Sequence, residues 1–256
     1  MFFRGELDAA FPVSAVEFLN TLQEVSTFFA IQTKIVAPRG GSTIRDSKIA
    51  LVCVVKEHLN RDDYDYATIK YDTVGQQQWI RRYDGPAHAG DYASAIAVDC
   101  SSNIYVTGYS VGSNTALDYA TVKYDTAGQQ QWVARYDGPI SSDDEATAIA
   151  LDASDNVYVT GFSYGSNGTW DYATIKYDSA GQQQWVSRYD GTGNYNDYAK
   201  GIAVDSAGNV YVTGASFGSL DIDWDYATIM YVQNAPTPTP RPRPTPRPRP
   251  TPAPRP

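Results

Sequence analysis

Aspartate offers most of the chemistry in this sequence, because carboxylates can bind hard cations, hydrogen-bond sugars or transfer protons. Of the 22 acidic residues between positions 63 and 235, 21 are aspartates. Six of them lie in predicted loops at one end of the strands. We expect Asp91, Asp144 and Asp197 to lie near a second set of three: Asp118, Asp171 and Asp225. Aspartate also ties loops through hydrogen bonds to nearby backbone. We favour that structural role; the alternative is Ca²⁺ or sugar binding.

Aromatic and histidine side chains near these loops are the other candidates for ligand contact. Trp170 and Trp224 each precede one of the aspartates, and the repeats before them carry no tryptophan at this position. His88 lies in a loop whose later counterparts are not histidine. A triad of His88, Asp91 and a serine can be drawn, but such a triad can be drawn in most sequences. We therefore predict no catalytic residue, no cofactor and no enzymatic activity.

The net charge of -9 is the sum of three unlike pieces. Residues 1–62 are neutral, residues 63–235 carry -14 and residues 236–256 carry +5. The acidic middle piece argues against nucleic-acid binding. No apolar run approaches the roughly 18 residues of a membrane-spanning helix, and two cysteines are too few for a disulfide scaffold.

A repeat of 53 residues sets the spacing of these side chains. The string DYATIKYD at 65–72 returns almost unchanged at 118–125 and 171–178, and shortened at 225–231. Residues 65–117 and 118–170 are identical at 34 of 53 positions. A fixed period of this size is typical of solenoids and propellers, so the repeat determines the fold class.

Four strands fit one repeat, because β-branched and aromatic residues alternate with polar ones between Gly, Asn and Asp turns. In the best copy they are predicted at 146–152, 156–163, 172–178 and 182–190. A four-stranded unit too small to bury both faces alone is the design of a propeller blade. The sequence thus predicts an all-β fold, a β-propeller arc of about three to four four-stranded antiparallel blades.

The repeat resembles the bacterial SBBP repeat, named for seven-bladed β-propellers. The resemblance lies in the hairpin GIAVDSAGNVYVTG at Gly201–Gly214, in the DYATIKYD strand and in the Trp-bearing outer strand, and covers about residues 63–232. The hairpin alone is also similar to NHL-type propeller repeats. The resemblance implies a propeller fold and an extracytoplasmic setting, and brings no activity or catalytic residue with it.

The clear copies supply 13 strands, fewer than a closed propeller needs. Shifting the register back by one repeat places Leu51–Val55 on the strand Ile104–Gly108 and predicts a degenerate first hairpin at 43–55. We therefore assign residues 41–235 to the repeats, which are clear from residue 63. Open blade edges predict either a piece of a longer propeller or self-association.

The two ends of the chain do not follow the repeat. In residues 1–40, Ser14 and Glu17 have capping-box spacing ahead of an apolar stripe, which predicts a helix over about 14–30. No signal peptide is visible, because acidic residues interrupt the start. Residues 236–256 alternate proline with Thr, Arg and Ala, which predicts a disordered Pro-rich tail of polyproline II type that serves as a linker.

These features favour a non-enzymatic β-propeller module, a scaffold or binding and adhesion surface of a secreted or cell-envelope protein. Its expected partners are proteins or glycans at the cell surface. One alternative is a carbohydrate-binding or carbohydrate-acting propeller that uses the loop-face carboxylates. Another is an intracellular protein-interaction propeller, which fits the missing export signal.

Overall fold

The computed structural model describes residues 31–36, 48–53, 64–72, 76–113, 116–218 and 223–233, the first two ranges as backbone only. These residues contain β-strands and turns, and no helix that could span a membrane occurs among them. The predicted helix at 14–30 and the Pro-rich segment lie outside the described residues. The predicted all-β propeller arc is confirmed for the part that is described.

The described strands form four antiparallel sheets, which we call blades 1 to 4. Blade 1 contains β1 (Ile31–Val36), β2 (Lys48–Cys53), β3 (Tyr66–Tyr71) and β4 (Gln77–Tyr83). Blade 2 contains β5 (Asp91–Val98), β6 (Ile104–Val111), β7 (Leu117–Tyr124) and β8 (Gln130–Tyr136). Blade 3 contains β9 (Asp144–Leu151), β10 (Val157–Tyr164), β11 (Trp170–Tyr177) and β12 (Gln183–Tyr189). Blade 4 contains β13 (Asp197–Val204), β14 (Val210–Phe217) and β15 (Trp224–Tyr231).

Each blade is a meander, in which strands that follow one another in sequence are neighbours in the sheet. The turn between the first two strands of blade 3 is held by Asp152, whose carboxylate accepts hydrogen bonds from the Asn156 amide groups and the Tyr158 hydroxyl. Asp99 and Asp205 make the same contacts in blades 2 and 4. These three recurring aspartates are turn formers.

Blade 1 differs from the sequence prediction in its first two strands. The hairpin pairs β1 with β2, so its first strand lies before residue 41, where the repeats were predicted to begin. In β2, Leu51 lies opposite Ile69, as Val106 lies opposite Val122 in blade 2. The 53-residue shift is therefore wrong by two residues here, because the register is set by pairing with β3 and not by a constant sequence spacing.

The hydrophobic core lies between blades, and each blade has two chemically different faces. We call the face toward the next blade along the chain the trailing face and the opposite one the leading face. At the junction of blades 2 and 3, the trailing face contributes aromatic rings such as Tyr105 and Tyr119. The leading face contributes Val157, Val159 and Ile175. The other two junctions repeat this pairing of aromatic with largely aliphatic surface.

In each of blades 1 to 3, one tyrosine joins the trailing face to the next blade. Tyr66, Tyr119 and Tyr172 are each 0% exposed. Their hydroxyls donate to the carbonyls of Ala120, Ala173 and Ala227 at 3.2, 3.2 and 3.4 Å. Burial raises the pKa of Tyr119 well above its usual value, which keeps the hydroxyl a donor. Each of these tyrosines thus combines burial of a large ring with a defined hydrogen bond across its junction.

Candidate functional site

Three carboxylates lie close together at each blade junction. They lie at the end of the sheets where the third strand of one blade and the first strand of the next blade begin. At the junction of blades 2 and 3 they are Asp118, Asp137 and Asp144, each of which brings one oxygen within 4.8 Å of the others. The same arrangement recurs in the neighbouring junctions: Asp65, Asp84 and Asp91; Asp171, Asp190 and Asp197. We call these three sets the acid clusters.

The strand-one aspartate of each cluster is the most buried member. Asp144 opens β9, and its Oδ2 accepts a hydrogen bond from the Gly138 amide at 2.5 Å. Its Oδ1 is buried and accepts no hydrogen bond from the described residues. Burial raises the pKa of Asp144, and likewise of Asp91, to about 6. Burial also raises the pKa of Asp197.

A guanidinium already supplies positive charge to the acid cluster between blades 2 and 3. Arg135 forms an ion pair with Asp118 at 2.8 Å and donates to the Ser110 and Tyr83 hydroxyls. Arg188 repeats the pattern one blade later, pairing with Asp171 at 2.9 Å. Tyr83 lies in blade 1 and Arg135 in blade 2, so these contacts bind one blade to the next. Ca²⁺ binding at the carboxylates stays the untested alternative to this structural role.

The predicted carboxylates are grouped across junctions. Asp144 lies with Asp118 and Asp197 with Asp171, whereas Asp91 lies with Asp65 of blade 1. Asp225 is exposed and belongs to none of the acid clusters in the described part of the chain.

Four cluster members escaped the sequence analysis: Asp65, Asp84, Asp137 and Asp190. Three of them belong to the recurring Tyr-Asp-Gly at the end of strand four, a signal that could have been read.

His88 stands in the turn after β4, beside an aspartate of the first acid cluster. Its φ is +49°, and its Nδ1 lies 2.6 Å from Asp84 Oδ2. Its counterpart Ser141, with φ of +47°, donates to Asp137 in the same way. The contact therefore repeats as a hydrogen bond within the turn, and in the described part of the chain His88 forms no hydrogen bond with Asp91.

The two predicted tryptophans occupy equivalent places on neighbouring blades. Trp170 packs against Phe162 and Tyr164 beside blade 4, with ring centroids 5.3 and 5.1 Å away. Trp224 packs against Tyr198 and Phe217 at 5.5 and 5.3 Å, and is 47% exposed. Trp224 thus occupies in blade 4 the position of Trp170, on a trailing face that no further described blade covers.

The trailing face of blade 4 is the surface that breaks the repeat. Tyr226 is 95% exposed, although its three counterparts donate hydroxyls across buried junctions. Met230 is 52% exposed and stands where Lys70 and Lys123 donate to carbonyls in the turn of the following blade and Lys176 donates to the Gln233 side chain. Val232 adds a further exposed apolar side chain. Among the described residues, this face carries the chemistry of a blade junction and no following blade covers it.

Comparison with known proteins agrees with the repeat assignment. Residues 78–114 and 184–220 match the family model of the SBBP β-propeller repeat. Each matched segment runs from a fourth strand through the first hairpin of the next blade. No curated protein matches the chain.

One similar solved structure is a fucose lectin from Kordia zhangzhouensis in complex with methyl-fucoside. The identity is 18%, the match covers 55% of this chain and 97% of the lectin chain, and the TM-score is 0.33.

Proposed function

We propose that this chain is a non-enzymatic β-propeller module, a scaffold and binding surface of a secreted or cell-envelope protein. Its docking surface is the trailing face of blade 4. The single observation that carries this proposal is the exposure of Tyr226, whose counterparts Tyr66, Tyr119 and Tyr172 are fully covered by a following blade.

The chemistry of the three junctions defines what this face binds. Each trailing face packs its aromatic rings on Ile, Val and Ala side chains and donates a tyrosine hydroxyl to a backbone carbonyl. Contiguous exposed apolar surface of this kind marks protein interaction sites. The partner surface is therefore a β-sheet with an aliphatic face. The acid clusters and their arginines hold adjacent blades together. The Pro-rich segment serves as a spacer to a neighbouring domain or to the envelope.

An added blade tests this docking surface. We expect a chain in which residues 178–231 are repeated after Tyr231 to protect Tyr226 from nitration by tetranitromethane, because the extra blade covers the trailing face. Peptide mass spectrometry quantifies the modification. Tyr195, which is 50% exposed in a loop, serves as the internal reference.

The control extension carries aspartate at its copies of Val210 and Val212, which removes the aliphatic partner surface. In that chain Tyr226 should be nitrated as in the original protein. Equal nitration of Tyr226 with and without the intact extension would refute the docking surface.

Glycan binding is the second candidate, favoured by a pair of half-exposed rings. Trp224 and Tyr195 are 47% and 50% exposed, and both contact Phe217 with centroids 5.3 and 5.2 Å away. Such amphipathic rings offer flat apolar surface beside polar groups. On a glycan array, we expect Trp224→Ala to lose any sugar that the protein binds and Ile140→Ala, in another exposed loop, to keep it. An array without bound sugars removes this candidate.

A further inference from the structure

Blade 4 presents an unpaired strand edge beside its trailing face. The strands β3, β7 and β11 each pair with a fourth strand, whereas β15 is the last strand of its sheet among the described residues. In the sequence, Val232 and Ala235 align with Asp178 and Gly181, which form the turn into the fourth strand of blade 3. The segment after β15 therefore lacks this turn motif, and the edge can take a strand from elsewhere.

A groove of about 450 Å³ continues this edge, lined by Trp185 of blade 3 and by Met230, Tyr231 and Val232. In the two preceding junctions a glycine turn lies against the corresponding tryptophan. A Cβ on Gly128 would come within 2.8 Å of the Trp79 ring.

Gly181 and Trp132 repeat this contact, with the added Cβ at 2.7 Å. Gly128 and Gly181 have φ of +78° and +80°, where side chains are strained. The Trp132 indole also donates to the Ser179 carbonyl in that turn, at 3.2 Å. The groove at Trp185 therefore fits a turn with glycine at this position.

The carboxylate of Asp225, at the other end of β15, is a further feature that an added fourth strand would contact. Asp118 and Asp171 pair with Arg135 and Arg188 of the adjacent fourth strands. Asp225 holds the same position in β15 and is exposed. An arginine on an added strand would meet this carboxylate in the register that the other blades use.

We propose that blade 4 binds in trans an extended segment of the pattern Asp-x-x-Gly-x-x-x-Trp-x-x-Arg-Tyr, added as a fourth strand to the edge of β15. The proposal rests on the proposed function and names the partner for that same face. In blade 3 the corresponding segment pairs Trp185 with Lys176 and Tyr189 with Tyr172. The added tryptophan therefore lies beside Met230, a favourable sulfur–aromatic contact.

The donor is another polypeptide rather than a second copy of the described blades. The copies of this pattern in β4, β8 and β12 are already paired within their own sheets. The leading face of blade 1 is covered as well, since Ala67, Ile69 and Tyr71 are buried. A second copy thus has no free strand or leading face to offer within the described residues.

A synthetic peptide with the sequence of residues 178–190 tests the proposal against the full chain. We expect saturable binding with half-saturation below about 1 mM, measured by anisotropy of a fluorescent label on the peptide. In parallel, hydrogen exchange of the β15 amides should slow when the peptide is bound, because an added strand pairs with them. Absence of binding at that concentration overturns the proposal.

Two matched substitutions separate strand addition from unspecific apolar contact. Asp225→Asn should weaken binding about tenfold through loss of a charge-assisted hydrogen bond, while Asp223→Asn, an equal charge change two residues away, should not. A peptide carrying Gly181→Val should fail to bind, because its Cβ meets the Trp185 ring. Equal binding of both peptides, or equal effects of both aspartate variants, would contradict the proposed strand addition.

The outcomes also separate this proposal from the proposed function. If the appended blade protects Tyr226 but the peptide does not bind, the docking surface stands and strand addition in trans falls. If the appended blade fails to protect Tyr226, the docking surface itself is refuted.

Discussion

Tyr119→Ala is expected to destabilise the protein by about 4 kcal/mol, the cost typical of truncating a buried aromatic side chain. Tyr119 is 0% exposed, packs in the core between blades 2 and 3, and donates its hydroxyl to the Ala173 carbonyl. Its removal leaves a cavity and takes from the Ala173 carbonyl one of the hydrogen bonds that it accepts, the other coming from the Thr160 hydroxyl. The effect is measured as the change in the urea midpoint and slope of unfolding.

Tyr226 is the matched control for this substitution. It occupies the equivalent position of the next-but-one blade but is 95% exposed, so Tyr226→Ala should change the unfolding free energy by no more than about 0.5 kcal/mol. Tyr119→Phe should cost about 1 kcal/mol, the net value of its hydrogen bond. Similar losses for Tyr119→Ala and Tyr226→Ala would contradict the assignment of these tyrosines to a covered and an uncovered face.

Gly161→Ala is the second substitution with a large expected effect, about 3 kcal/mol of destabilisation, as for strained overpacking. Gly161 lies in β10 opposite a β-bulge in β9, where the register shifts. An added Cβ would lie 2.0 Å from the Glu145 carbonyl oxygen and 2.8 Å from Ala146 Cα. These are backbone atoms of a paired strand, so they cannot move aside without loss of the bulge.

Gly201→Ala supplies the comparison for Gly161. An added Cβ at Gly201 would find only Thr213 Cγ2, at 3.5 Å, and the corresponding positions in blades 2 and 3 are Ala95 and Ala148. This change should be neutral or stabilise by up to about 1 kcal/mol through the unfolded state. Thermal unfolding of both variants checks the pair, and a Gly161→Ala protein as stable as the parent would contradict the close approach at the bulge.

The sequence predicted the strands of the repeats well, because period-two alternation and Asp-Asn turns are local signals. Strand three of blade 3 was predicted at 172–178, and β11 spans Trp170–Tyr177. The first hairpin was placed less accurately, since β1 and β2 carry a repeat too degenerate for the constant spacing to locate them. Only pairing with β3 sets their register.

The candidate site was predicted in part, because its composition depends on contacts between blades. The loop-end position of Asp144 and Asp171 followed from the strand order. Their grouping did not, because Asp144 meets Asp118 of the preceding blade and Asp171 meets Asp197 of the following one. The sequence gives no sign that Tyr226 is exposed, because it occupies the same position of the repeated strand motif as its buried counterparts Tyr66, Tyr119 and Tyr172.

Because the two faces of a blade differ chemically, blades can pack on one another in only one orientation. At each of the three described junctions the trailing face is aromatic and the leading face largely aliphatic, so blades join head to tail and are interchangeable at these junctions. In such nearest-neighbour arrays stability is close to a sum over units and interfaces. Tandem duplication or deletion of whole 53-residue units therefore preserves every junction, which lets blade number change during evolution without redesign of the core.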